Sequence, residues 1–234
     1  AVGVKISLDR PPTRVVTLMP SLGELVASFS LGKLKRVVGV SEHTDYPPTL
    51  LRVESVGPYH AFSLEKVIAL KPELVLASTD GNPREPVERL RKMGVPVFVV
   101  ATDSIEAVRA SMLQVGALLG EETESKRQVA QFDVGLARFR ARAKARKPVT
   151  VMLQLGERPL VVAGGPVFLN EALTLLGAKN VYGEMSQKYP RPSAEDVLSR
   201  NPETILVLTL TGEIRIFEAT ARRWLDFPGL AAVQ

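Results

Sequence analysis

Three of the four tyrosines stand next to proline in short loops. Tyr46, Tyr59 and Tyr189 each have a proline as a direct neighbour in the sequence. An aromatic ring on a stiff loop offers a large flat contact surface and loses little side-chain entropy on binding. The same rings would also be explained by packing against their own prolines. The residue pattern alone leaves both interpretations open.

Two glutamates occupy equivalent positions in a stretch that occurs twice. Residues 63–77 read SLEKVIALKPELVLA, and residues 193–207 read SAEDVLSRNPETILV. In each copy a serine suited to the N-cap precedes apolar residues at helical spacing, and a proline then ends the helix before an apolar strand. Both strands, 74–77 and 205–208, have the composition of parallel strands covered on both faces. The repeat predicts two similar lobes.

Glu65 and Glu195 therefore lie in the first turn of a short helix in each lobe. The helix dipole stabilises a carboxylate there, and this alone explains a glutamate at that position. The functional alternative is a bipolar docking patch, in which one carboxylate per lobe meets basic residues of a partner. Charges of that kind set register and association rate more than affinity.

Composition excludes several classes of function. The chain has 234 residues, 45% apolar and 24% charged, which is typical of a soluble globular protein of one or two domains. The absence of cysteine excludes disulfides, thiol catalysis and thiolate metal sites. His43 and His60 lack the spacing of a metal motif, so we expect surface histidines and no metal. No phosphate-binding loop, dinucleotide fingerprint or nucleophile elbow is present, and we predict a protein that is not an enzyme.

The net charge of +5 comes largely from one basic stretch, residues 126–147. Its cations go round a helix and are not interleaved with aromatic residues, so we interpret it as a solvated helix and expect no nucleic-acid partner.

The elements that position these residues alternate as βαβα in the first half. Strands are predicted at 14–19, 36–40, 74–77 and 95–101, and helices at 21–31 (with Ser21 in a capping box and Gly32 as the stop), 63–70, 84–92 and 104–119. A parallel sheet binds ligands beyond the carboxyl ends of its strands, where loops 41–48, 56–61 and 78–82 should emerge.

A long helix over 121–145 leads into the second half. Strands at 149–155 and 160–163 come first, and then Gly164-Gly165, either a tight turn or an anion cradle. Three helices are predicted after this turn, at 167–176, from Ser193 onward and at 217–224. The strand at 205–208 lies between the second and the third in the sequence. Residues 227–234 have the pattern of an approach to another strand. We predict an α/β fold of two Rossmann-like lobes with parallel-rich sheets: lobe 1–120, a rigid interdomain helix at 121–147, and an apparently truncated lobe 148–234.

Several short sequence motifs resemble those of the periplasmic vitamin B12-binding proteins. These are the substrate-binding components of ABC importers, of the class with two lobes and a rigid helical connector. The motifs are Asp45-Tyr-Pro-Pro48, Lys71-Pro-Glu-Leu-Val75, Gly81-Asn82, Gly94-Val-Pro-Val97 and the second glutamate helix before Asn201-Pro202. The similarity covers nearly the whole chain in order.

The resemblance implies roles for these residues. Glu65 and Glu195 would pair with arginines of the two permease subunits. Aromatic residues from both lobes would clamp the corrin ring, and the implied ligand contacts are Tyr46, Pro47, Tyr59, Gly81, Asn82 and Tyr189. Tyr59 and Tyr189 stand where relatives often have tryptophan, and Ser78 stands where a close relative has a further aromatic residue. The family's last strand, loop and helix have no counterpart before Gln234.

We therefore predict a monomeric protein, located in the periplasm or on the outer face of the cell membrane. It captures cobalamin between its lobes and delivers it to an ABC permease dimer, with no enzyme cofactor. The alternative ligands are haem and a ferric siderophore, which the same fold carries. Haem would take Tyr59 or His60 as its iron ligand. A nucleotide-using α/β enzyme is the alternative from another class, and it would need the phosphate loop that the chain lacks.

Overall fold

The chain forms two compact units, Ala1–Phe132 (unit 1) and Asp133–Gln234 (unit 2). A computed structural model describes residues 6–29, 34–208 and 214–234. The boundary between the units lies inside one continuous helix, α5 (Glu122–Lys144). A separate connector over 121–147 remains a prediction.

Unit 1 is a four-stranded parallel sheet with helices between its strands. The strands are β1 (Val15–Thr17), β2 (Val37–Val40), β3 (Leu74–Ser78) and β4 (Val97–Val100), in the order β2-β1-β3-β4. The helices are α1 (Pro20–Phe29), α2 (Leu64–Ala69), α3 (Arg84–Lys92) and α4 (Ile105–Leu118). All five residues of β3 are buried, as its apolar composition predicts. Two apolar clusters account for this, since Leu74 and Leu76 belong to one and Val75 and Ala77 to the other.

Unit 2 is built around one long strand. Strand β5 (Thr150–Glu157) pairs with β6 (Leu160–Val162) in antiparallel fashion and with β7 (Lys179–Asn180) and β8 (Thr204–Val207) in parallel. The helices are α6 (Phe168–Leu175), α7 (Ala194–Arg200) and α8 (Ile214–Trp224). Strand β7 was not predicted, because two residues carry no periodicity. Both sheets are parallel-rich, as expected.

The prediction that the second repeat strand is covered on both faces was wrong. Leu206 is 42% exposed, and Leu208, just after β8, is 38% exposed. Ile205 packs in the cluster that contains Trp224, whereas the cluster on α6 includes Leu153 of β5 and no residue of β8. Among the described strands β8 pairs with β5 alone. It is therefore covered on one face, and its composition did not reveal this.

Two helix starts differ from the prediction. Helix α1 begins at Pro20, so Ser21 lies inside the first turn and is not the capping residue. Proline suits the first helical position because its missing N–H has no partner there in any case. Helix α8 begins at Ile214, three residues before the predicted start. The predicted end of α1 at Gly32 lies outside the described residues. The last residues, expected to approach a strand, form a 3-10 turn over Ala231–Val233.

The repeated stretch has the same local structure in both units. Ser63 and Ser193 accept hydrogen bonds from the backbone N–H three residues on, which confirms both as N-caps. Lys71 and Asn201 both adopt left-handed backbone, with φ of 46° and 44°. Each is followed by proline, which makes the turn from helix to strand.

The glutamate after each proline ties the strand start to its neighbour. Glu73 Oε2 accepts the hydroxyl of Thr13 at 2.9 Å. Glu203 Oε2 accepts the N–H of Thr150 at 2.7 Å and its hydroxyl at 2.9 Å. These bonds lower the pKa of both glutamates, with the backbone N–H of the threonine as the largest cause. The Pro-Glu pair thus has a structural role in both units.

Candidate functional site

Loops at the carboxyl edge of the unit 1 sheet carry most of the predicted ligand contacts. Because the four strands are parallel, the segments after β1, β2 and β3 emerge at one edge. Tyr46 follows β2, and its side chain is 63% exposed. Pro47 is half-buried, and its carbonyl accepts the Leu50 N–H at 2.8 Å. The ring of Tyr46 is therefore exposed at the carboxyl edge of the sheet.

Asn82 ties three parts of this edge together. Its Oδ1 accepts the N–H of Ser78 at 2.8 Å, and its Nδ2 donates to the carbonyl of Leu18 at 3.0 Å and to that of Tyr59 at 2.8 Å. The side chain is buried. The structure thus gives Asn82 a positioning role: it joins the end of β1, the turn after β3 and the loop of Tyr59. A direct ligand contact by Asn82 remains a prediction.

Gly81 provides room for the ring of Tyr59. Its φ is +119°, and a Cβ built on it would lie 3.0 Å from Met19 and 3.1 Å from Cδ2 of Tyr59. Any side chain here would displace one of these two residues and would also be strained. Met19, Tyr59 and Gly81 therefore form one contiguous surface. Sequence reasoning missed Met19, although its place directly after β1 put it at this edge.

The loop of Tyr59 is held against the loop of Tyr46 by backbone bonds. The N–H of Glu42 donates to Gly57 at 2.8 Å, and the N–H of Val56 donates to Val40 at 2.9 Å. The ring of Tyr59 is half-buried and meets the exposed ring of His60 edge-on, with centroids 5.1 Å apart. The two loops of unit 1 that carry Tyr46 and Tyr59 are therefore joined to each other by hydrogen bonds.

Tyr189 lies on a loop of unit 2 that is fixed by two backbone bonds. The N–H of Gly164 donates to Lys188 at 2.9 Å, and the N–H of Val162 donates to Pro190 at 3.1 Å. The side chain of Tyr189 is 42% exposed. Its contact with a ligand remains a prediction.

The Gly164-Gly165 pair is a close-packing turn. A Cβ at Gly164 would lie 1.9 Å from the carbonyl oxygen of Gln187, and one at Gly165 would lie 2.6 Å from that of Gly183. The N–H of Gly165 donates to Met185, so both glycine N–H groups are bonded to carbonyls of this loop. The anion cradle considered from the sequence is therefore wrong.

Glu65 and Glu195 are both exposed in the first turn of their helices. The pKa of Glu65 is lowered by a hydrogen bond from its own backbone N–H and by one from the Ser63 hydroxyl at 3.0 Å. The pKa of Glu195 is lowered by the Ser193 hydroxyl and then by its own N–H. Each carboxylate therefore stays ionised down to lower pH than a free glutamate. Their role in docking remains a prediction.

The described residues include neither a cluster of metal-ligating side chains nor a helix able to span a membrane. Within residues 6–29, 34–208 and 214–234, no group of three or more His, Asp or Glu side chains is arranged to hold a metal ion. His43 and His60 are both exposed. None of the helices described has the length and apolar content to cross a bilayer.

Comparison with known proteins identifies the family. Residues 15–221 match the model of a family described as periplasmic binding protein. The chain belongs to this family. It is 30% identical over 195 residues to the vitamin B12-binding protein of Vibrio campbellii, and the aligned region covers 83% of this chain and 70% of the relative. Against that of Photorhabdus laumondii it is 29% identical over 212 residues, 91% of this chain and 76% of the relative.

Solved structures of periplasmic binding proteins have the same fold. The periplasmic vitamin B12-binding protein BtuF of Vibrio cholerae superposes with a TM-score of 0.82 at 26% identity, covering 96% of this chain and 85% of its own. A periplasmic heme-binding protein of Pseudomonas aeruginosa superposes with a TM-score of 0.81 at 25% identity, covering 94% and 79%. The resemblance and the two-lobed α/β fold are thus confirmed, and the chain is a substrate-binding protein of the ABC-importer type.

Proposed function

We propose that this periplasmic binding protein captures a corrinoid, cobalamin, and delivers it to an ABC permease without any chemical step. The observation that carries the proposal is the exposed ring of Tyr46 at the carboxyl edge of the unit 1 sheet, on a loop that is hydrogen-bonded to the loop of Tyr59. A corrinoid has a broad flat face, which an aromatic ring on a fixed loop can cover. Tyr189 of unit 2 is the proposed second aromatic contact.

The charges at this edge favour a corrinoid over an anionic ligand. The segments 41–47, 56–62, 78–83 and 101–104 contain four acidic residues, Glu42, Asp45, Asp80 and Asp103, and no lysine or arginine. A corrin ring is bordered by neutral amides, whereas the haem periphery carries two propionates that acidic loops would repel. Vitamin B12-binding proteins among the relatives agree with this choice.

We propose that Glu65 and Glu195 dock the loaded protein on the permease. Both are exposed and ionised, and both lie at the start of a helix in equivalent copies of the repeated stretch. A pair of like carboxylates on two similar units suits a partner with two equivalent basic surfaces, such as a permease dimer.

Haem is the second candidate ligand. Heme-binding proteins are among the structures that share the fold, and Tyr59 and His60 supply a phenol and an imidazole side by side at the candidate edge. Lys188 and Arg191 on the loop of Tyr189 would suit propionates. In that case a tyrosine or histidine would bind the iron.

A competition experiment tests the proposal. The purified chain is incubated with cyanocobalamin, haemin, a ferric siderophore and ATP at equal concentration and passed over a sizing column. The absorbance and mass of the co-eluting compound then identify the ligand. We expect cyanocobalamin to elute with the protein. Elution with haemin would replace the proposal by the second candidate, and elution with ATP or with no compound would overturn both.

A further inference from the structure

The second half of helix α5 carries an unusual concentration of positive charge. Between Asp133 and Glu157 the sequence has no acidic residue, and it has six basic ones: Arg138, Arg140, Arg142, Lys144, Arg146 and Lys147. These six cations exceed the net charge of +5 of the whole chain. We call residues 134–147 the basic segment. It belongs to unit 2 and leads into the start of β5.

The cations of the basic segment are exposed, and among the described residues the four on the helix have no carboxylate partner. All six side chains are exposed. Within the part of the chain that the structure describes, no carboxylate lies within ion-pair distance of Arg138, Arg140, Arg142 or Lys144, whereas Arg127 earlier in the same helix pairs with Glu124 at 2.6 Å. Lys147 differs, since its charge acts on nearby Glu203. Four helical cations are thus available to an external anion.

The helix presents these cations around a ridge of small residues. Ala143 faces inward, since a Cβ on Gly177 at the end of α6 would lie 3.0 Å from it. Val134, Ala137 and Ala141 are exposed, and helical spacing puts them on the side away from Ala143. Arg138 and Arg142 are one turn apart on one flank of this ridge. Arg140 and Lys144 are one turn apart on the other flank.

We propose that the basic segment binds the surface of an anionic phospholipid bilayer. A helix with cations on both flanks of a ridge of small residues can lie flat on a membrane. The charged ends of all four side chains then reach lipid phosphates at the same time. Each cation near an anionic surface contributes to binding, and the effect falls off within a Debye length. Proteins of this family work in the cell envelope, where such a surface is at hand.

A nucleic acid fits the segment less well. Proteins that bind single strands combine cations with aromatic residues on which the bases stack. Phe139 is the one aromatic residue of residues 134–147. It is 45% exposed, but helical spacing puts it one turn before Ala143 and outside the ridge between the cationic flanks. The exposed ridge between the cationic flanks offers no ring to a base.

Membrane retention and permease docking would use opposite ends of unit 2. The basic segment precedes β5 and so lies toward the amino ends of the parallel strands. Helix α7 runs from Glu195 toward the start of β8, which puts Glu195 at the carboxyl ends. The bilayer-bound form is therefore an undocked form, held at the surface so that the search for a permease takes place near the membrane.

Vesicle cosedimentation tests the proposal. The parent chain is mixed with vesicles of phosphatidylcholine alone and of equal parts phosphatidylcholine and phosphatidylglycerol. A variant with Arg138, Arg140, Arg142 and Lys144 changed to Gln is compared with a control in which four other exposed cations are changed, R52Q/R84Q/K92Q/K126Q. Both variants lose the same net charge. Thermal unfolding and far-ultraviolet circular dichroism check that each variant is folded.

We expect the parent and the control to bind phosphatidylglycerol vesicles at low salt and to be released at about 0.5 M salt. Since each cation near the surface strengthens binding about fivefold, the segment variant should bind weaker by a factor on the order of one hundred or more. Three outcomes would overturn the proposal. They are equal binding by both variants, binding to vesicles of phosphatidylcholine alone, and binding to soluble polyphosphate in place of vesicles. None of these readings depends on which ligand the protein carries.

Discussion

Asn82 illustrates how a residue can matter for binding through the loops that it holds. Its amide bonds three backbone groups from three segments at the carboxyl edge of the unit 1 sheet. The Gly81-Asn82 phrase identified the position from sequence. It could not show that the side chain is buried, because the partners lie at Leu18 and Tyr59, far away in the chain.

We expect Asn82→Ala to lower the free energy of unfolding by about 2–4 kcal/mol, since buried backbone groups of Leu18, Tyr59 and Ser78 lose their partner. Cobalamin binding should weaken as well, because the loop of Tyr59 is no longer tied. Urea denaturation and ligand titration measure the two effects. Gln131→Ala, at an exposed amide on α5, is the control and should stay within about 0.5 kcal/mol. A similarly small change for Asn82→Ala would contradict its positioning role.

Asp196 should make the stability of unit 2 depend on pH. It accepts the hydroxyl of buried Tyr182 at 2.8 Å and the Nε of Arg200 at 3.1 Å, and these contacts, with Tyr182 the larger cause, lower the pKa of Asp196. A lowered carboxyl pKa stabilises the fold above the pKa of the unfolded chain. That contribution is lost as the pH falls through the lower pKa of the folded state.

We therefore expect Asp196→Asn to cost about 1 kcal/mol of unfolding free energy at neutral pH, a modest value because the carboxylate is partly exposed. The difference from the parent should shrink as the pH falls below about 4. Denaturation at a series of pH values measures it, and Tyr182→Phe should reduce the effect of the aspartate change. A difference that stays constant down to pH 2 would argue against this contact as the source.

At the scale of elements, the repeated helix-turn-strand stretch was the most predictable part of the chain. Ser63 and Ser193 as N-caps followed from the sequence, because capping is local. The left-handed backbone of Lys71 and Asn201 was not predicted, because a following proline disfavours the right-handed α region without specifying a left-handed one. The bonds of Glu73 to Thr13 and of Glu203 to Thr150 could not be predicted, since each joins residues more than fifty positions apart.

The exposed carboxylates at the two helix starts lead to a prediction about docking. Changing Glu65 and Glu195 together to Gln should leave cobalamin affinity within about twofold and reduce association with the permease by at least tenfold, because Gln keeps the shape and removes the charge. Calorimetry and pull-down with the partner permease measure the two quantities. Glu85 and Glu171, also acidic residues in the first turn of a helix, are the control pair. Loss of cobalamin binding in the Glu65 and Glu195 variant would place these residues in the ligand site.

At the scale of the whole molecule, the division into two parallel-rich units was predictable because a βαβ alternation permits few arrangements. The order of the strands in each sheet, and which strands lie at its edges, could not be predicted. The exposure of Leu206 depends on which helices reach β8, and no local pattern encodes that. The same holds for the candidate site. Tyr46, Tyr59 and Gly81 were predicted from sequence motifs, whereas Met19 became visible only through its closeness to Gly81 in the structure.

The choice of cobalamin as the proposed ligand depends on two features: the flat aromatic rings, and the acidic loops at the carboxyl edge of unit 1, which contain no lysine or arginine. Haem shares the flatness and differs in charge. Ligand selectivity should therefore follow the ring of Tyr46 and the charge of its surroundings, and a change that keeps the ring should keep the affinity.

Calorimetric titration with cyanocobalamin, beside haemin, of the parent, Tyr46→Ala and Tyr46→Phe tests this most directly. Met93→Ala, which removes an equally exposed apolar side chain (61% against 63%) at the end of α3, is the control. We predict that the parent binds cyanocobalamin more tightly than haemin, that Tyr46→Ala weakens cyanocobalamin binding at least tenfold, and that Tyr46→Phe and Met93→Ala stay close to the parent. Tighter binding of haemin by the parent, or unchanged cyanocobalamin affinity in Tyr46→Ala, would contradict the account.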